Sequence, residues 1–518
     1  MIENLRPCLR TSGAIAVLLA WVASLGWLGV RRLDRSESAI LSSEATMRLA
    51  PATAWYAVYA GATQIGNASL SLDTLSPGYR VDQSIAYEVR NGDSLTRAAR
   101  RTETWLGATL NLERMVSRFS RAGQQAEWRL SIFGDTLTAH FAGQETIAQG
   151  RARFSDPPTA TAALAYRLAL GGALEPGSRS APSRLVVLVD GWPAAGRDVE
   201  VTVGRDSTIR FADSTALRGG HWVAAHVDSV KTWAVVLHGA AGPRRLWIDQ
   251  RGAVSGMETP LGVRWVRTDF DLSETEFRNG LGAGTAAIRG AVPVMVQYAA
   301  APARTEPIVE RRFVVAHRDG SPVDTSLVAL LAGGRQEVHG DTIIERLVPE
   351  HEVETEDDAP DDPMIQDGAA AIAALDRSWF RRAPDSARVA RAVASLRRMI
   401  RVDTAAGAHE DALGTLASRT GRPDGVARLF VALMRAAGIP ARYVVGIEAR
   451  GDTLLTHAWA EVWNHDRGGW WAVDPVSGMA MADTRLIRVA FAGSSHPDEL
   501  LPMVANARIV EIAQEKKR

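Results

Sequence analysis

The chain of 518 residues has a single cysteine, Cys8. One thiol excludes a disulfide framework, a multi-cysteine zinc site and an iron–sulfur cluster. It leaves the redox compartment open. Lysine is almost as scarce: it stands at Lys231, Lys516 and Lys517, so arginine supplies the other 56 of the 59 basic residues. Net charge is missing too, because 59 acidic residues balance the basic ones. Polyanion-binding proteins are usually basic overall, so no nucleic-acid partner is expected. Long apolar runs are rare; one of membrane length occurs near the amino terminus and no second follows. What is present is ordinary for a folded protein: 46% of residues are hydrophobic and 23% charged, which excludes a largely disordered chain. The length suggests about three domains.

The apolar run is GAIAVLLAWVASLGWLGV, residues 13–30, flanked by Arg6 and Arg10 on one side and Arg31, Arg32 and Arg35 on the other. As a helix it is ~27 Å long, close to the hydrocarbon thickness of a bilayer. It predicts one transmembrane anchor, preceded by a short tail (1–12) and followed by a linker (31–51). A cleaved signal peptide ending near Val22-Ala23-Ser24 is the alternative. Cys8 precedes the run and is therefore not a lipoprotein cysteine. A short tail before the run and a large mass after it place the bulk of the chain outside the cytoplasm, in the periplasm or on the cell surface.

From Trp55 onward the pattern reads as strands. WYAVYAG, YRVDQSIAYEVR, EWRLSIF, DVEVTVG and TWAVVLHG are short runs of aromatic and β-branched residues, separated by turn signals such as SPG (76–78) and NGD (91–93). A β-rich region over 52–275 is expected, in two halves (52–150 and 180–272) around an Ala/Pro/Gly-rich stretch with one helix-like piece, TAALAYRLAL. One sheet system or two domains are both compatible with the pattern. His221 and His226 lie five apart on a strand, hence on opposite faces, so they do not suggest a shared metal. Trp55, Trp128, Trp222, Trp233, Trp247 and Trp265 read as core residues. Residues 276–349 form a linker and a small β segment, PIVERRFVVAH and TIIERLV. Residues 350–362, EHEVETEDDAPDD, carry eight acidic residues in thirteen without the spacing of a calcium loop, and read as a solvated linker. No cofactor and no metal are expected.

In 363–515 the period changes. AAIAALDRSWF, SARVARAVASLRRMI and EDALGTLASRT show the three- and four-residue spacing of amphipathic helices, with Asp385 as a cap for the second. A fourth helix runs from Pro423 to about Ala437, with proline at its start and Gly438 at its end. Strands follow: ARYVVGIEA, LLTHAWAEVW and GWWAVDP.

Three motifs in order, LFVALMRAAGIPARYVVG (429–446), HAWAEVW (457–463) and GWWAVDP (469–475), resemble the transglutaminase-like core of the papain-type cysteine enzymes. The resemblance covers about 410–485 well and implies an α+β domain. More weakly, WYAVYAGATQIG and LWIDQRGAVSGMETPLG resemble the extracytoplasmic half of some bacterial transglutaminase-like proteins. The family uses a cysteine at the start of the central helix, where the helix dipole favours the thiolate, with a histidine as base and an aspartate that orients it. Carried over, the histidine is His457 and the aspartate Asp474. The cysteine position is occupied by Pro423, in Gly421-Arg422-Pro423. The resemblance therefore implies a scaffold without its nucleophile: a membrane-anchored binding or scaffolding module of the cell envelope, with a peptide, protein or glycan as ligand. A hydrolase or acyl transferase using His457 and Asp474 with a non-cysteine nucleophile is the alternative. A purely structural hydrogen bond between the two residues also remains open. Trp459, Trp463, Trp470 and Trp471 read as core or cleft-wall residues, and His465 as exposed.

Overall fold

The computed structural model describes residues 37–91, 94–121, 124–143, 147–154, 159–177, 186–189, 192–198, 200–238, 243–282, 308–348, 362–380, 384–403, 409–450, 453–465, 468–491 and 500–516. The apolar run 13–30, Cys8 and most of the acidic stretch lie outside them. Among the described residues no helix is long and apolar enough to cross a membrane.

The two β-rich halves join into one antiparallel sheet of thirteen described strands. One arm is a meander from Ala52–Ala60 through Thr63–Leu75, Gly78–Asn91, Ser94–Gly107, Leu112–Arg121, Gln124–Phe133 and Thr136–Ala142 to Ile147–Arg153. The other arm runs from the long hairpin Glu200–Arg218 and His221–His238 through Arg244–Asp249 and Val254–Glu258 to Val263–Thr268. The seam is the antiparallel pair Ala52–Ala60 with Val263–Thr268, in register Trp55↔Thr268 to Ala60↔Val263. The sequence could not fix this seam, because its partners are about two hundred residues apart. The helix Thr161–Leu170 matches the helix-like piece and buries one side against both arms: Ala163 and Tyr166 join the core of the first, Leu164 and Leu168 that of the second.

Two expectations need correction here. The stretch 31–51 is not simply a linker. Glu37–Arg48 is a helix whose Leu41 and Ala45, one turn apart, are buried with Leu49 under the first arm. Among its described side chains Leu41 and Ala45 meet a core, too sparse an apolar period to read in sequence. The β segment of 276–349 is likewise no separate unit. Ile308–His317, Gln336–His339 and Thr342–Arg346 form a four-stranded sheet completed by Ala507–Lys516, nearly two hundred residues downstream. Phe313, Val328 and Ile343 belong to the same core as the central helix of the carboxy-terminal domain.

That domain has the expected helices Ala370–Trp379, Asp385–Met399, Ala412–Ser418 and Pro423–Ala436. Asp385 does not cap its helix. Pro384 holds the extended cap conformation, and Asp385 is already the first helical residue. Asp411 caps the third helix instead, its carboxylate accepting from the Gly414 amide at 3.0 Å. The strands Ala441–Arg450, Thr453–Asn464 and Gly469–Val473 form an antiparallel sheet with Leu486–Ala490 in the order 469–473, 453–464, 441–450, 486–490. The central helix Pro423–Ala436 lies on this sheet and is buried continuously from Asp424 to Met434.

Candidate functional site

Side-chain alternation sorts the strand Thr453–Asn464 into two faces. Ala458, Ala460 and Val462 enter the core that contains the central helix. His457, Trp459 and Glu461 point to the other face, where Trp459 clusters with Val444, Ala472 and Leu486. Asp474 follows the adjacent strand Gly469–Val473 on this same face.

His457 Nε2 and Asp474 Oδ2 are 3.1 Å apart, and both side chains are buried. The aspartate is held on all sides. Its Oδ1 accepts from the amides of Val476 (3.0 Å) and Ser477 (3.1 Å), and its Oδ2 accepts from the Ser477 hydroxyl at 2.5 Å. Burial alone would push the Asp474 carboxyl up, but His457 and the Ser477 donors together hold it below its ordinary value. The converse holds for His457: burial alone would lower its pKa, yet the facing carboxylate raises it. The geometry thus favours an imidazolium–carboxylate pair, with Nε2 fixed on Asp474 and Nδ1 left to face any further partner.

The ring is also positioned from its side. Trp459 stacks near it, centroids 6.1 Å apart and planes 20° apart. The room for Trp459 comes from Gly446, which pairs with His457 across the strands. A Cβ on Gly446 would lie 2.4 Å from the Trp459 ring and 2.1 Å from the Ile487 carbonyl oxygen. Below the pair the face becomes ionic. Glu461 accepts from Arg442 at 2.5 and 2.8 Å and from Arg488 at 3.3 Å, all three side chains being buried. Arg442 is sandwiched between the rings of Trp470 (4.2 Å) and Phe491 (4.5 Å).

Pro423 is the first residue of the central helix, after the extended Arg422. The negative charge at this helix start comes from Asp424, which is buried and contacts Arg428 Nη1 at 3.2 Å and Arg422 Nε at 3.4 Å. Arg428 donates further to the Glu410 carbonyl at 2.7 Å and lies 4.5 Å over the Tyr443 ring. Burial pushes the Tyr443 phenol well above its ordinary pKa, so it stays neutral. The helix start is packed closely: a Cβ on Gly425 would meet the His409 carbonyl oxygen at 2.5 Å.

The structure therefore brings together two of the residues singled out from sequence, His457 and Asp474, and sets Pro423 at the helix start. His465 is exposed. His221 and His226 are on the projecting hairpin, where His226 Nδ1 bonds Asp213 at 2.8 Å. Sequence reasoning missed Ser477, Gly446 and the Arg442–Glu461–Arg488 cluster. Ser477 had a readable signal, a hydroxyl three residues after the aspartate, where it can close a local turn. Among the described residues, no group of three or more His, Cys, Asp or Glu side chains is placed to hold a metal ion.

The family model of the Transglutaminase-like superfamily matches residues 374–475, which include both His457 and Asp474. No curated protein matches the chain. Solved structures with limited similarity include a β-barrel-like protein of a domain family of unknown function (DUF1849) from Brucella abortus, at 11% identity and TM-score 0.32, covering 43% of this chain and 96% of that one. A candidate cysteine protease from Cytophaga hutchinsonii aligns at 15% identity and TM-score 0.25, covering 41% of this chain and 86% of that one. A DUF1089 family protein from Pseudomonas aeruginosa aligns at 10% identity and TM-score 0.21, covering 38% and 89%.

Proposed function

We propose that the transglutaminase-like domain of this protein is catalytically silent and serves as a binding or scaffolding module of the cell envelope, tethered to the membrane through residues 13–30. Its ligand is a peptide, protein or glycan. One observation carries the reading: a buried histidine–aspartate pair at hydrogen-bond distance is kept, while the chain's only cysteine is Cys8 and the helix start where the family holds its nucleophile is Pro423. The surroundings of Pro423 support it. Asp424 and Glu410 already place carboxylates at the positive end of the helix, where a thiolate would otherwise be favoured. A hydrolase or acyl transferase with a substitute nucleophile is the competing reading. The hydroxyl bonded to the pair, Ser477, donates to Asp474 Oδ2, so the carboxylate and not the imidazole engages its proton.

Two measurements test this. The intact protein should neither hydrolyse nor transamidate glutamine-containing peptides; an activity that disappears in His457→Ala would replace the silent-domain reading with the enzymatic one. In a Cys8→Ser background, Pro423→Cys should react with iodoacetamide at least about tenfold faster than a cysteine placed on an exposed loop. An equal rate would mean that Pro423 is not the vacated nucleophile position.

A further inference from the structure

The hollow of the thirteen-stranded sheet is independent of that reading. The strand registers align inward-facing residues into rows. Leu70, Gln83, Thr102 and Ser117 form one row across four strands, and Ala68, Ile85, Arg100 and Phe119 the next. Leu246, Val254, Met257 and Trp265 face these rows from the other arm, and the start of the helix Thr161–Leu170 closes the floor. The partly open cavity measures about 240 Å³. A second hollow of about 190 Å³ adjoins it across a shared wall of Ile85, Arg100, Met257 and Trp265, and ends at Pro502 and Met503.

This interior stays open because its central positions are small. Where a solid core would carry Leu or Val, the wall has Thr102, Thr104, Ser117, Ala160 and Ala162. The hydroxyls of Thr102 and Ser117 bond each other at 2.9 Å, and the buried Tyr56 hydroxyl donates to the Val254 carbonyl at 2.7 Å. The polar wall atoms are thus turned onto one another, which leaves an apolar lining. Along the strand Ser94–Gly107 the two hollows run from Ala98 to Thr104, ~20 Å at the rise of an extended strand. The charged residues lining them are Arg100, at their junction, and Arg244; no carboxylate lines either.

We propose that this elongated hollow binds one linear acyl chain with an anionic head. The chain fills the first hollow along the inward rows, and the head lies at Arg100, where the second hollow begins. The outer end of the second hollow bears on the carboxy-terminal domain, because the half-buried Met503 packs both against the core of the sheet's seam and against the core around the central helix. Methionine adapts its shape readily, so an occupant can displace its side chain without breaking the helix Leu501–Asn506.

The test uses the intact chain and a diazirine-bearing lauric acid, with mapping of the labelled peptides after irradiation. Label is expected on the strands Arg244–Asp249 and Val254–Glu258. Excess laurate should suppress it, and laurylamine should require at least about tenfold more, because a cationic head meets arginine. Ala162→Phe, which fills the floor, should cut the label at least about fivefold at unchanged melting temperature. Should that variant not fold, competition on the unmodified chain decides. Laurate and lauroyl-lysophosphatidylglycerol compared as competitors separate a free fatty acid from a lipid as the source. No label on these strands, label that neither competitor suppresses, or equal suppression by laurylamine would overturn the proposal.

Discussion

The two main sheets follow the same alternation of inward and outward residues and differ in what lies on the inward face. The four-stranded sheet is three strand spacings wide, ~14 Å, and a fourteen-residue helix of ~21 Å covers it. Its core is therefore solid; the polar groups of the far face are tied into ion pairs, and on the helix side Asp424 and Arg428 pair at the helix start. The thirteen-stranded sheet is ~58 Å wide, while its buried helix Thr161–Leu170 is ~15 Å long. This helix between the arms and Glu37–Arg48 under the first do not cover such a width, and hollows remain between the arms. The difference teaches that an apolar inward face specifies burial, while the ratio of sheet width to covering helix decides whether burial leaves space.

The strongest way to break this comparison is through charge. Glu461 is the carboxylate shared by Arg442 and Arg488, all buried, so Glu461→Gln should destabilise the carboxy-terminal domain by about 3–5 kcal/mol. Glu127, which joins Arg118 and Arg129 on the exposed face of the large sheet, should cost at most about 1 kcal/mol in the same change. Urea denaturation measures both, and similar losses would show that the two regions do not differ in how they use charge. Next in size is glycine. Gly446→Ala drives a Cβ into a carbonyl oxygen and the Trp459 ring and should cost about 3 kcal/mol. Gly204→Ala in the large sheet meets the Ala234 carbonyl oxygen at 3.3 Å and should stay within about 1 kcal/mol.

Cavity formation sharpens the comparison further. Leu429→Ala empties a filled core beneath the central helix and should fall near the upper end of the range of about 2–5 kcal/mol. Leu246→Ala removes a side chain that already borders a hollow, has fewer neighbours to lose, and should fall near the lower end. Equal costs would mean that the hollow is closed in solution. The smallest effect is in pH dependence. The folded pKa of His457 lies above 6.5, so its contribution is full below about 6.5 and is lost as pH rises through the folded value. Asp474 lies below 3.8; its contribution is full above about 3.9 and is lost as pH falls through its own folded value. His457→Gln should flatten the stability curve on the alkaline side relative to the parent. An unchanged slope there would show that the pair is not ionised.

Much of the carboxy-terminal domain was legible because its contacts are local. The helix Pro423–Ala436 is marked by proline at its start and by the spacing of Leu429, Phe430, Leu433 and Met434, and the next three strands follow with short turns. His457 and Asp474 were found through motifs, and seventeen residues of hairpin bring them together. The Glu37–Arg48 helix was not legible, because Leu41 and Ala45 gain their meaning only from the sheet they cover. Gly446 was readable as a glycine but not as a requirement, since the ring it admits comes from the neighbouring strand.

By itself the sequence determined the strand and helix periods, the balance of charge, the single cysteine and the proline that opens the central helix. These are properties of composition and of short spacing, which the chain carries before it folds. Only the tertiary structure decided that the two β-rich halves share one sheet, that Ala507–Lys516 closes a sheet begun at Ile308–His317, and that small residues far apart in the chain line one hollow. Each of these joins partners about two hundred residues apart or sets one arm of a sheet against the other. Such pairings rest on which surfaces remain to be buried once local structure has formed, and no local pattern encodes that.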